Sequence, residues 1–167
     1  MCDGDCVSDY ARSMGKVIVN LQSLEFPLRA FLYGHTTRWR SGTEPDFLDS
    51  IAKGETVREN TFTNYDSLRQ LVTKYNSIVR AKDSSLQVDE EVIRVRDALA
   101  HGRIACASRS STEPKLVKYG KPKNGCVNVT DCYLLTNAWL KEKIGLAYES
   151  INKVEQAIKL FKGNDNV

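Results

Sequence analysis

A short charged stretch near the middle of the chain carries the residue types best suited to chemistry. In "VRDALAHGR", residues 95–103, Arg96, Asp97 and His101 fall within six positions, and Arg94 comes just before them. A neutral imidazole accepts a proton near neutral pH, and a guanidinium holds a phosphate through two parallel hydrogen bonds. These four side chains are therefore candidates for chemistry on a phosphate group.

The same residues also fit an ordinary helix end. At about 100° per residue, Arg94, Asp97 and His101 share one helix face and Arg96 lies on its flank, while Val92, Val95 and Leu99 form the core face. In the last turn, His101 is placed to cap carbonyl groups, with Asp97 as its partner one turn earlier. Spacing alone favours this structural interpretation, and it leaves the catalytic one open.

Apolar periodicity predicts long helices around this stretch. The predicted helices cover about residues 8–34, 65–80, 89–102 and 136–161. Ser8, Asp89 and Thr136 are expected to cap the starts of three of them, and Gly34 is expected to stop the first. Pro27 removes a backbone donor, so we expect a kink near Leu24. A further short helix is predicted over residues 43–54.

After Gly102 the pattern changes to short segments rich in Val, Ile and Tyr, and Asn124-Gly125 is a strong hairpin signal. The predicted fold is mainly α, a helical bundle with a small β-hairpin insertion, about residues 103–135, between the third and last long helices. In the last helix, apolar residues recur at alternating steps of four and three, which predicts packing along another long helix, the first above all.

Composition places the chain among globular proteins. It has 167 residues, 41% hydrophobic and 27% charged, which predicts one domain over residues 1–167 with a core of about 8–162. No apolar run is long enough to span a membrane and the first residues are acidic, so we expect a cytoplasmic protein with no membrane partner.

The cysteines are odd in number and loosely spaced, which favours free thiols over disulfides or structural zinc, and no metal or cofactor is expected. They are Cys2, Cys6, Cys106, Cys126 and Cys132.

Basic residues dominate the stretch that begins at the charged motif. Residues 94–123 hold eight Lys or Arg side chains against Asp97 and Glu113. This excess indicates either a solvated face or an anion-binding surface. The six candidates beyond the motif are Arg103, Arg109, Lys115, Lys118, Lys121 and Lys123. Separately, Trp39 between Arg38 and Arg40 either stacks a base or, more commonly, tucks into the core.

The motif and its helix order resemble the HEPN family. That family carries R-x(4–6)-H late in a helix, often with a polar residue after the Arg. Arg96 to His101 matches the four-residue form with Asp97 in the polar position, and Arg94 matches the six-residue form. The β-rich stretch and the long segment after Gly34 depart from the minimal family pattern.

The resemblance implies an up-and-down four-helix-bundle-like core, usually dimeric. Many members are metal-independent ribonucleases, often toxins or phage-defence effectors, and others bind nucleotides or proteins, some beside a nucleotidyltransferase. We therefore expect a homodimeric endoribonuclease in which His101 handles the proton, Arg96 the phosphate, and Arg94 and Asp97 assist. The basic run would hold the RNA backbone, and a cognate antitoxin or nucleotidyltransferase is a possible partner. The alternative is a non-catalytic HEPN-like nucleotide- or protein-binding module.

Overall fold

The computed structural model describes residues 4–39, 52–105 and 113–163, with side chains in the first range from residue 9 onward. The described helices are α1 (Gly4–Ser23), α2 (Glu25–Thr37), α3 (Leu68–Arg80), α4 (Glu91–His101) and α5 (Asn137–Lys162). The described strands are β1 (Arg103–Ala105), β2 (Lys115–Tyr119) and β3 (Val129–Leu134), with a short 3-10 turn at Ser84–Leu86. The predicted mainly helical fold with a small antiparallel sheet before the last long helix is confirmed.

These elements fall into two compact units. The first unit holds α1, α4, the sheet and the first half of α5, and the second holds α2, α3 and the second half of α5. All four motif residues and all three strands therefore lie in the first unit. The predicted pairing of the last helix with the first stays a prediction.

The long first helix is broken where the sequence predicts a kink. α1 ends at Ser23 and α2 begins at Glu25, with Leu24 in a turn between them. Pro27 has no N–H to donate to the Ser23 carbonyl, so the helical ladder is interrupted there. The prediction of a cap at Ser8 is wrong, because α1 already begins at Gly4.

The predicted stop at Gly34 is also wrong, because α2 continues to Thr37. The chain then turns through Arg38 in the left-handed region (φ 54°), and the Trp39 N–H donates to the Gly34 carbonyl at 2.8 Å. A Cβ at position 34 would collide with the Trp39 ring, so Gly34 serves this close approach. Trp39 is half-buried and its ring centroid lies 5.9 Å from that of Phe31, which supports the core interpretation of Trp39.

Side-chain caps fix the starts of the other helices. α3 begins at Leu68, later than the predicted residue 65, because Ser67 and Gln70 form a capping box. The Asp89 carboxylate accepts the N–H of Glu91 at 2.8 Å, just ahead of α4. Thr136 Oγ1 accepts the N–H of Trp139 at 3.0 Å, which confirms the predicted cap of α5. Most of the short helix predicted over 43–54 lies outside the described residues.

The three strands form one antiparallel sheet in the order β1-β2-β3. Asn124 (φ 52°) and Gly125 (φ 75°) both take the left-handed conformation at the tip of the β2–β3 hairpin. Lys123 and Cys126 pair across that turn through two backbone hydrogen bonds. The predicted Asn-Gly hairpin is therefore confirmed, since this turn type needs a positive φ at both central positions.

Candidate functional site

The charged motif lies in the second half of α4, and its neighbours form the buried face of that helix. Val92 and Val95 are completely buried, as the sequence predicts, whereas Leu99 is only half-buried. Ile93, which the periodicity places on the flank, is also buried. The buried face of α4 is therefore wider than the periodicity predicts.

His101 ends α4 with its side chain in solvent. It makes no hydrogen bond, ion pair or ring contact with any residue of the described ranges. The structural interpretation included Asp97 as a partner of His101, whereas the Asp97 carboxylate lies 3.7 Å from the Arg96 guanidinium. The helix end is closed by the Gly102 N–H, which donates to the Ala98 carbonyl at 2.7 Å. His101 still lies in the last turn of α4, where the helix dipole favours positive charge, so the helix-end interpretation keeps that contribution without a side-chain contact.

Helix geometry decides which motif residues share a face. Arg94 lies seven residues before His101, so the two are about 20° apart around the axis and about 10 Å apart along it. Arg96 lies five residues before His101, which puts the two about 140° apart. Arg94 Nη1 is 3.5 Å from Glu91 Oε2. Helix geometry thus places neither arginine beside His101 within one chain.

Gly102 connects the motif helix to the sheet at a point where the helix end packs very closely against β2. A Cβ at this position would lie 2.6 Å from Leu116 Cδ1 in β2 and would collide with the Ala98 carbonyl. The glycine therefore allows α4 to end directly against β2, and β1 begins with the next residue, Arg103. This junction fixes the backbone of His101 at one edge of the sheet while its side chain stays exposed.

The basic candidates beyond the motif separate onto different surfaces. Arg103 lies in β1 with its guanidinium 5.4 Å from the centroid of the Tyr119 ring, and Lys115 is exposed at the start of β2. Lys118 points to the other side of the sheet, where its Nζ is 3.7 Å from Asp131 and only partly exposed. Lys121 and Lys123 are exposed in the hairpin, and Arg109 lies outside the described residues.

An ion-pair cluster around one buried lysine, which the sequence analysis missed, links the start of α4 to α5. Lys143 of α5 is buried, and its Nζ lies 3.3 Å from Glu91 Oε1 and 2.8 Å from Glu142 Oε1. Burial lowers the pKa of Lys143, but its hydrogen bonds to Glu142 and Glu91 outweigh burial and raise the pKa above its usual value. Residues 91 and 143 are 52 positions apart, and no local spacing in the sequence signals their pairing.

An aromatic contact continues this cluster into the sheet. The Tyr133 ring of β3 lies 5.3 Å from the Trp139 ring, and the Tyr133 hydroxyl is 3.4 Å from Asp131. Burial, followed by the charges of Glu91 and Asp131, raises the pKa of Tyr133. Together the two sets of contacts tie the motif helix, the sheet and α5 into one rigid support.

Metal ligands do not group within the described ranges. No set of three or more His, Cys, Asp or Glu side chains is placed there to hold a metal ion. Cys126 and Cys132 are exposed free thiols, and the side chains of the other three cysteines lie outside the description. No helix in the described part of the chain is both long and apolar enough to cross a membrane.

Comparison with known proteins gives no relative. No family model, no curated protein and no solved structure matches this chain.

Proposed function

We propose that this protein is a metal-independent endoribonuclease of the HEPN type, with His101 as the proton-handling residue and Arg96 as the phosphate ligand. The observation that carries the proposal is the position of His101. It ends a rigid, well-packed helix, yet its ring is solvent-exposed and has no partner among the described residues. The competing role at the helix end is left with the dipole interaction of the last turn, since Asp97 lies beside Arg96.

The chemistry needs only groups that the chain and RNA supply. His101 takes the proton of a ribose 2′-hydroxyl, the 2′-oxygen bonds to the adjacent phosphorus, and the bond from phosphorus to the 5′-oxygen breaks. The departing 5′-oxygen takes up a proton, which leaves a 2′,3′-cyclic phosphate and a 5′-hydroxyl. General base catalysis of this kind contributes roughly 100- to 10,000-fold in rate. A guanidinium stabilises the negative charge that builds on the phosphate.

The placement of the two motif residues favours a site shared by two copies. Arg96 and His101 diverge by about 140° around α4. A symmetric dimer in which two motif helices face each other would bring Arg96 of one chain toward His101 of the other. We therefore include a homodimer in the proposal, together with a cytoplasmic location. A role as toxin or defence effector, and a cognate antitoxin or nucleotidyltransferase partner, belong to the same proposal.

The test is RNA cleavage in excess EDTA. Purified protein should cut single-stranded RNA under these conditions and leave DNA of the same sequence intact, because DNA lacks the 2′-hydroxyl. Cleavage of both polymers, or activity that disappears on chelation and returns with a divalent metal, would refute the proposal.

The separation of Arg96 from His101 also supports a second candidate function. If the chain does not pair as proposed, the motif helix offers separate cationic and imidazole groups rather than a catalytic pair. The protein would then be a non-catalytic HEPN-like module that binds a nucleotide or a protein. This candidate predicts binding that survives His101→Ala and no cleavage by the wild-type protein.

A further inference from the structure

The sheet has one face turned away from the helices of its unit. The register places Val117 between Arg103 and Cys132, and Lys115 beside Leu134. Beyond the irregularity at residues 118 and 119, Tyr119 pairs with Val129 on the same side. We call this side the outer face. It consists of Arg103, Ala105, Lys115, Val117, Tyr119, Val129, Cys132 and Leu134.

Most of the opposite face is already occupied, although Ile104 in the edge strand β1 is 54% exposed there. Leu116 is buried there against Gly102, Tyr133 stacks near Trp139, and Lys118 faces Asp131. On the outer face, by contrast, large apolar side chains are in solvent: Tyr119 is 42% exposed, Leu134 44% and Val129 55%. A contiguous apolar surface of this kind is typical of a binding site.

Charge on the outer face selects the kind of ligand. Its cationic side chains within the described strands are Arg103 and Lys115, and the one carboxylate of those strands, Asp131, lies on the opposite face. Lys121 and Lys123 continue the positive surface into the hairpin. A second copy of this face would bring like charges together, whereas a polyanion would neutralise them.

An aromatic ring and a guanidinium lie together on this positive surface, where the edge strand β1 meets the end of β2. The Arg103 guanidinium lies 5.4 Å from the centroid of the half-exposed Tyr119 ring. Unpaired nucleobases stack on aromatic rings and on guanidinium planes, while nearby cations hold the phosphates. Exposed apolar side chains such as Leu134 and Val129 offer the bases further apolar surface for contact.

From these observations we propose that the outer face binds single-stranded RNA, with a base stacked on Tyr119 and the backbone held by Arg103 and Lys115. The inference rests on the proposed function and adds the path of the substrate. β1 begins two residues after His101, so the Cα atoms of His101 and Arg103 are at most about 7.6 Å apart. An RNA strand that lies across the outer face would therefore pass the edge of the sheet where His101 is located.

The experiment measures binding without cleavage. Full-length His101→Ala protein serves as the parent, and a fluorescein-labelled 12-nucleotide poly(U) serves as the probe in anisotropy titrations at several salt concentrations. Tyr119→Ala in this parent should weaken binding about tenfold or more, because base–aromatic stacking is lost. Tyr119→Phe should bind within about twofold of the parent, because it keeps the ring. Tyr65→Ala, which removes a fully exposed tyrosine in the other unit, is the matched control and should change nothing.

A second pair of variants tests the charge independently. Lys115→Gln should lower the slope of log affinity against log salt by up to about one, as expected for one lost phosphate contact. Lys53→Gln, an exposed lysine in the other unit, should leave that slope unchanged. Thermal melts of all variants check that each one is folded.

The outcomes separate this inference from the proposed function. Unchanged RNA binding by both Tyr119→Ala and Lys115→Gln would overturn the inference, even if the wild-type protein cleaves RNA. Weakened binding together with an inactive wild-type protein would uphold the binding face and refute the nuclease. If the parent does not bind RNA, or if Tyr119→Ala instead disrupts a protein complex, the inference is wrong.

Discussion

At the residue scale, function and stability separate most clearly at His101. Its side chain is exposed and has no partner among the described residues, so removing the side chain breaks no contact with them. We predict that His101→Ala changes the free energy of unfolding by less than about 0.5 kcal/mol, as for ordinary surface substitutions. Urea denaturation measures this change. A loss of 2 kcal/mol or more would show that His101 is a structural residue after all.

We predict that substitutions of the two motif arginines affect the cleavage rate differently. Arg96→Ala should abolish cleavage because it removes the proposed phosphate ligand, while Arg94→Ala should reduce the rate only modestly. Both arginines have an acidic neighbour, since Arg94 lies 3.5 Å from Glu91 and Arg96 lies 3.7 Å from Asp97, so the expected order follows from the proposed roles and not from these ion pairs. Initial rates on the same RNA compare the two variants. The reverse order would assign the phosphate to Arg94, which shares the His101 face.

At the scale of elements, the junction between α4 and β1 depends on Gly102. A methyl group there would press on Leu116 and on the Ala98 backbone, so Gly102→Ala should destabilise the protein by about 1–3 kcal/mol. Gly145→Ala is the matched control, because a Cβ at that helical position meets nothing within 4 Å. It should stabilise the protein by roughly 0.5–1 kcal/mol. Equal thermal shifts for both variants would contradict the tight junction.

We likewise predict a loss of stability when the ion pair between α4 and α5 is broken. Lys143 is buried and contacts Glu91 and Glu142, so Lys143→Ala removes packing and leaves the partly buried Glu91 paired with Arg94 but without its contact to α5. We expect a loss of about 1–3 kcal/mol. The exposed neighbour Lys141→Ala should cost less than about 0.5 kcal/mol. If denaturation midpoints show the two variants to be equally stable, the cluster does not anchor the motif helix.

Local signals explain which elements the sequence predicts well. Thr136 and the Asn124-Gly125 turn act through their own neighbours, so their residue types suffice to locate them. The end of α2 depends instead on Trp39 folding back onto Gly34, a contact that periodicity does not contain. The Glu91–Lys143 pair was missed for the same reason, since it joins residues that are far apart in the chain.

At the scale of the whole molecule, the candidate site is less predictable than the fold. The motif residues can be listed from the sequence, but their faces on α4 show that one chain does not bring Arg96 to His101. Whether Lys115 and Lys118 share a surface depends on strand register, which puts them on opposite sides of the sheet. The basic run therefore looks uniform in the sequence and is divided in the structure.

Assembly can be tested by mixing two inactive variants. Sedimentation should first give about twice 18.8 kDa. If each site takes Arg96 from one chain and His101 from the other, refolding Arg96→Ala with His101→Ala in equal amounts restores one intact site in each mixed dimer. Activity should then return to about a quarter of the wild-type level. No recovery from the mixture, while both variants still dimerise, would contradict a shared site.

The central claim, that His101 drives transfer of phosphate to the 2′-hydroxyl of RNA, is tested most directly by end-group analysis of RNA cut in excess EDTA. The wild-type protein should leave 2′,3′-cyclic phosphate and 5′-hydroxyl ends, and folded His101→Ala protein should leave the RNA intact. Cleavage by His101→Ala at the wild-type rate, or products with 5′-phosphate and 3′-hydroxyl ends, would contradict it.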